Sequence, residues 1–177
     1  DPASNVVWKV TLPPGNSSPV IWGDRIFLTA FEKPNLQALS LGRREGKTLW
    51  RQTLTPEKIE PTHRTATPAA PTAVTDGQWV YFYCGSFGLV AYDFDGREQW
   101  RRPLPPPVVD FGTGASPILA GDLLILNRDQ DLGSELLALD KRTGKTVWRT
   151  DRSEFRRGFA TPLVWRHDGL EELVVPG

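Results

Sequence analysis

The sequence predicts an all-β chain of repeated four-stranded antiparallel units, on three observations. Sixteen Gly and sixteen Pro interrupt 177 residues roughly every five or six positions, which leaves little room for helices that need about ten uninterrupted residues. Seven Trp, eight Phe and three Tyr supply bulky apolar groups, and a chain of this length can bury a substantial core as one domain. Four markers also recur in a fixed order with a period of about 45–50 residues, the signature of a repeat architecture.

The first marker is a Gly followed four residues later by Trp: Gly46 and Trp50, Gly96 and Trp100, Gly144 and Trp148. The second lies just upstream, as Ala38-Leu39-Ser40, Ala91-Tyr92-Asp93 and Ala138-Leu139-Asp140. The third is a small residue and Pro opening an apolar run, at Ser18-Pro19, Ala70-Pro71, Ser116-Pro117 and Thr161-Pro162. The fourth is the turn that closes each run: Gly23-Asp24, Asp76-Gly77, Gly121-Asp122 and Asp168-Gly169. The prolines stand 52, 46 and 45 residues apart, and the tryptophans, counting Trp8, stand 42, 50 and 48 apart.

Each period reads as four short strands. In the third unit these are 116–119, 123–127, 135–139 and 146–150, joined by Gly-Asp, an Asp-rich loop and Lys141-Arg142-Thr143-Gly144. All three connections use residue types that tolerate tight turns. The second unit repeats the pattern at 79–84, 89–92 and 98–101, and the first at 25–30, 36–39 and 48–53. Residues 5–12, with Trp8, are expected as the last strand of a preceding unit, and 170–175 as the second strand of a following one. A sheet that is apolar on both faces cannot bury both alone, so its copies must stack. Radial stacking also limits exposed edges. The expected fold is therefore a partial β-propeller of about three and a half four-stranded antiparallel blades, residues 1–177 forming one domain. The blades fall at 17–53, 70–102 and 115–150, with the first half of another at 160–177. Indoles on the outer strands would wedge between neighbouring blades, on turns supplied by Gly46, Gly96 and Gly144.

The stretch Ala-Leu-Asp-Lys-Arg-Thr-Gly-Lys-Thr-Val-Trp at 138–148 resembles the tryptophan-docking motif of the pyrroloquinoline-quinone-type repeat. That family includes quinoprotein alcohol dehydrogenases and the outer-membrane assembly scaffold BamB. The third unit matches best. The first departs at Ser40 and carries a longer turn, Leu41-Gly42-Arg43-Arg44-Glu45, while the second shortens its turn to Phe94-Asp95-Gly96. The resemblance implies a ring of seven or eight blades, the remainder supplied by a longer chain of which this one, lacking Met even at position 1, is expected to be a piece. It also implies structural roles for Trp8, Trp50, Trp100 and Trp148, which enzymes and non-enzymes of the family share.

Composition narrows the function. Lys plus Arg and Asp plus Glu both number 21, so no net field draws the chain to nucleic acid or to an anionic membrane. No stretch approaches the roughly 20 apolar residues of a membrane span, and the N-terminus carries no signal-peptide pattern. The one cysteine, Cys84, lies in an apolar run and reads as a small hydrophobe.

In a propeller of this kind the candidate ligand face is formed by the crossings between blades and by the loops between second and third strands. The crossings 54–69, 103–115 and 151–160 carry His63, Arg64, Asp110, Phe111, Arg156 and Arg157. The loop 127–131 adds Arg128, Asp129 and Asp131 on the same side, beside Phe31-Glu32-Lys33 and Ser86. Asn127-x-Asp129-x-Asp131 echoes the first oxygens of a calcium loop, but Leu132 stands where Gly is required and Ala138 where Glu is. It reads as a polar hairpin loop. His63 and His167 have no metal spacing, and no Gly-x-Ser-x-Gly elbow or comparable constellation is present. Asp110 reads as an ordinary loop carboxylate. No catalytic or metal residue is assigned.

The expected function is a non-catalytic scaffold or binding module for a protein or peptide, outside the cytoplasm (in the periplasm or an equivalent compartment), with no cofactor. The alternative is a portion of a quinoprotein dehydrogenase, for which the resemblance implies pyrroloquinoline quinone with calcium, a catalytic Asp, a stacking Trp and often a vicinal Cys pair. That Cys pair has no counterpart in this sequence.

Overall fold

The computed structural model describes residues 2–177. After a single helical turn, α1 (Pro2–Asn5), everything regular is β. The first sheet holds β1 (Val20–Trp22), β2 (Arg25–Glu32), β3 (Asn35–Gly42) and β4 (Thr48–Leu54) in that order. The second holds β5 (Val74–Thr75), β6 (Trp79–Cys84), β7 (Gly88–Asp93) and β8 (Glu98–Pro103). The third holds β9 (Ile118–Ala120), β10 (Leu123–Arg128), β11 (Glu135–Asp140) and β12 (Thr146–Asp151). A two-stranded sheet of β13 (Leu163–His167) and β14 (Leu170–Val174) completes the chain. Neighbouring strands in every sheet are antiparallel.

Strand alternation explains why the sheets stack. Successive side chains point to opposite faces, so β6 sends Val80 and Phe82 to the first sheet, where they meet Phe27 and Leu36. From the same strand, Tyr81 and Tyr83 point to the third sheet and meet Leu124 and Leu126. All eight of these side chains are fully buried or within 1% of it. The third interface packs Ile125, Leu136 and Ala138 with Trp148 and Leu173. A blade greasy on both sides has no stable alternative to lying between its copies. The short strands β1, β5 and β9 lie next to one another on the inside, and the four sheets form a partial β-propeller.

The inner rim carries a repeated hydrogen bond. The amide of Ser18 donates to Thr72 Oγ1 at 3.0 Å, that of Thr72 to Ser116 Oγ at 2.9 Å, and that of Ser116 to Thr161 Oγ1 at 3.0 Å. A hydroxyl residue beside Pro71, Pro117 and Pro162 thus ties each blade to the one before it. At the outer rim the indoles do the same work. Trp8 Nε1 donates to Arg43 O at 2.8 Å, Trp50 Nε1 to Phe94 O at 2.9 Å and Trp100 Nε1 to Lys141 O at 2.8 Å. Each indole covers the Gly of the following blade, and those glycines have φ of +68°, +81° and +68°. A Cβ there would lie 2.5, 2.8 and 2.6 Å from an indole carbon, so both the backbone and the contact require Gly.

Three expectations need correcting. The register slips between Ser40 and Leu41, between Ala91 and Tyr92, and between Ala138 and Leu139. Ser40 lies opposite Trp50 as Ala91 lies opposite Trp100 and Ala138 opposite Trp148. The first unit's motif is therefore Ser40-Leu41-Gly42, its turn is as long as the third's, and Gly42 occupies the place of Asp140. With no carboxylate at Gly42, letter matching slides by two residues. Second, residues 6–12 form no strand. A strand needs a partner ladder, and none among the described residues pairs with them, although Trp8 makes the expected contact. Third, no turn among the described residues receives the Trp148 indole. It packs half-buried beside Leu173 and Val175 instead.

Candidate functional site

Antiparallel order places the crossings 55–73, 104–117 and 152–162 at the same end of the blades as the loops 33–34, 85–87 and 129–134. The crossings are pinned by buried polar contacts, because a long loop can be held under the surface only if its polar groups find partners. In the first crossing, the amide of Glu60 donates to Ser86 Oγ at 2.9 Å. Its carboxylate accepts from Thr113 Oγ1 at 2.7 Å and from the Thr113 amide at 3.3 Å. Glu60 is 3% exposed. Burial pushes its carboxyl above the usual range against the opposing pull of the Thr113 bonds and the Arg128 charge. Burial likewise raises the Tyr83 hydroxyl.

The third crossing is locked to the 129–134 loop. Arg152 Nε and Nη2 donate to Asp129 Oδ1 and Oδ2, both at 2.9 Å, and Asn127 Nδ2 donates to Asp129 Oδ2 at 2.9 Å. The Arg152 guanidinium lies 4.3 Å from the Phe155 ring centre. Arg128 pairs with Glu135 and donates to Pro105 O at 2.7 Å. Arg128 and Asp129, expected on the ligand face, are thus buried fasteners.

Five of the other expected residues meet in one cluster. Arg157 forks onto Asp131, with Nε–Oδ1 and Nη2–Oδ2 both at 2.7 Å, and reaches Asp110 at 3.0 Å. Its guanidinium lies 5.8 Å from the Phe111 ring centre, and the His63 and Phe111 ring centres are 6.2 Å apart. Phe111 is half exposed, while Arg64 and Arg156 point into solvent apart from the cluster.

Sequence reasoning missed the apolar ground beside this cluster. Two joined recesses of about 570 and 400 Å³ share Lys58 and Pro106 and run between residues 55–61 and 103–110. Pro56, Ile59, Phe87, Leu104, Pro106 and Val108 line them. The available signal was the run Pro103-Leu104-Pro105-Pro106-Pro107 opposite Pro56 and Pro61, a composition that holds an extended backbone with few donors.

The chain matches the family model for the outer membrane protein assembly factor BamB over residues 37–169. It belongs to that family. Within the BamB family it is 28% identical over 155 residues to the BamB of Alkalilimnicola ehrlichii, covering 86% of this chain and 37% of that protein. The chain therefore spans little more than a third of this relative's length. Among solved structures it is similar to BamB from Moraxella catarrhalis, with 14% identity, a TM-score of 0.57, and 83% of this chain and 43% of that one covered. It is also similar to a quinohemoprotein alcohol dehydrogenase from Pseudomonas putida, with 15% identity, a TM-score of 0.58, and coverage of 81% and 22%. At those identities the likeness shows the shared propeller fold. The quinone with calcium expected under the alternative reading would need free carboxylates, and those on this face are engaged. Asp129 and Asp131 are each forked by a guanidinium, and Glu60 is turned onto Thr113. No group of three or more His, Cys, Asp or Glu among the described residues is placed to hold a metal ion. No helix among them is long and apolar enough to cross a membrane.

Proposed function

We propose that this chain is part of a non-catalytic, BamB-like propeller scaffold, acting outside the cytoplasm without a cofactor, whose crossing face binds a protein or peptide. The proline-lined recess between residues 55–61 and 103–110 carries the reading. Its walls offer flat apolar contact on a backbone whose rigidity lowers the entropy lost on binding. The half-exposed Phe111 and Val108 extend the apolar surface toward the Arg157 cluster. Family membership and the relative's role in outer membrane assembly support the same reading.

The test is a photo-crosslinking amino acid placed at Val108 and, as a control on the opposite end of the blades, at Lys145. A discrete adduct with an extracytoplasmic protein at position 108 and none at 145 is expected. The same adducts at both sites, or none at 108, would remove the proposal. Saturable binding of the quinone with calcium, read as a thermal shift, would replace it with the dehydrogenase reading.

A further inference from the structure

Resting on that reading, we propose that the partner is an extended peptide segment in which apolar residues are followed by carboxylates. The ridge Pro103-Leu104-Pro105 walls the apolar recess on one side and a second cleft of about 290 Å³ on the other. This second cleft, between the second and third blades, is cationic. Arg102 from β8, Arg128 from β10 and Arg149 from β12 line it, and the facing carboxylate is Glu135 on β11.

The lining is short of carboxylates. Glu135 spends one oxygen on Arg128 and the other on Arg149, so the lining sets three guanidiniums against one carboxylate, while Glu60 and Asp151 outside it also act on Arg128 and Arg149. No carboxylate among the described residues lies within ion-pair distance of Arg102, whose contact is a 3.3 Å bond to Thr146 Oγ1. Arg128 is 5% exposed and keeps a buried Nε with no partner. A guanidinium fork matches a carboxylate two bonds at a time, and a recess with low-dielectric walls focuses the positive field of its lining.

The apolar part of the lining decides the kind of anion. Leu104 on the ridge and Leu137 supply it, which suits the stem of an acidic side chain better than a free phosphate. An extended segment lying across the ridge sets aliphatic groups in the recess near Phe87 and brings its carboxylates to Arg102 and Arg149. Specificity then comes from charge, with a basic segment repelled at the same place.

The probe is a labelled synthetic peptide, Phe-Leu-Val-Pro-Glu-Asp-Glu, compared with its charge-reversed form, Phe-Leu-Val-Pro-Lys-Arg-Lys, by fluorescence anisotropy on the intact chain. The acidic peptide should bind about tenfold or more tightly than the basic one and weaken as salt rises. Arg102→Glu, at an exposed position away from the Glu135 pairs, should abolish the preference, and Arg149→Ala should reduce it. Phe87→Ala should weaken the acidic peptide while keeping its salt dependence. Near-ultraviolet circular dichroism establishes that each variant is folded. Equal affinity for the two peptides, indifference of the acidic peptide to Arg102→Glu, its displacement by stoichiometric inorganic phosphate, or binding of neither peptide each overturns the inference. The scaffold reading stands or falls separately, on the crosslink at Val108.

Discussion

Trp100, on the outer strand of the second blade, donates its indole N–H to the carbonyl of Lys141 in the third blade at 2.8 Å. The same ring covers Gly144, three residues on. One side chain therefore supplies a wedge, a hydrogen bond and a steric reason for the next repeat's glycine. The relation recurs at Trp8 with Arg43 and at Trp50 with Phe94, so the rim is held by a contact that each repeat passes to its successor.

Trp100→Ala should cost about 3–5 kcal/mol in urea denaturation, as for other large buried aromatics. Gly144→Ala should also destabilise, by about 1–3 kcal/mol, because it meets both a positive φ and the indole. Trp148→Ala should cost clearly less in this chain, since its indole is half-buried and docks on no turn among the described residues. Equal losses at Trp100 and Trp148 would contradict the wedge as the source of the effect.

Asp129→Ala should cost about 3–5 kcal/mol, because it strands a buried arginine without its counter-charge. Asp129 and Arg152 have side chains only 2% and 9% exposed. Replacing both, as Asp129→Leu with Arg152→Met, should recover most of the loss, and a double-mutant cycle measures the recovery. Arg157→Ala should leave the denaturation midpoint almost unmoved, its pairs being open to solvent.

The period was legible in the sequence because the geometry demands particular residues: Gly where φ is positive, Pro at the strand entry, Trp at the rim. The alignment of the first unit was not, because Gly42 replaces the carboxylate that marks the same position at Asp93 and Asp140. The crossing face was legible in its location and less so in its chemistry. Whether Asp129 faces solvent or a guanidinium depends on Arg152, 23 residues away, and no local pattern encodes that meeting. Glu60 was hidden for the same reason, its partner Thr113 lying 53 residues on. Charges that read as an exposed ligand surface proved to be partly the fasteners of that surface.

Glu60 predicts a pH dependence of definite sign. Burial raises its carboxyl above the ordinary 4.5, so between 4.5 and its folded value the native chain binds more protons than the unfolded one. Its contribution is fully present below 4.5 and is lost as pH rises through the folded value. Relative to Glu60→Gln, the wild type should therefore gain stability as pH falls from neutral toward 4.5. Denaturation midpoints of the two proteins across that window check it, and a difference that stays level or runs the other way would contradict the burial of an ionisable Glu60.

Cys84 offers a site-specific reading of blade separation. Its thiol ends β6 inside the first interface, fully buried with Phe82 and Val90, and burial together with the Glu60 charge pushes it up to about 12. Because the thiolate is the nucleophile, Ellman's reagent should react with the native chain only when the first and second blades part. Denaturant above the midpoint should give full and rapid reaction. Trp50 packs against the same interface, so Trp50→Ala should speed labelling at concentrations of denaturant that leave the fold intact. Trp148→Ala acts in the third interface and should change the rate far less. Equal acceleration by the two substitutions would mean that the sheets open together rather than one interface at a time, and fast labelling of the unmodified native chain would place the thiol outside the interface altogether.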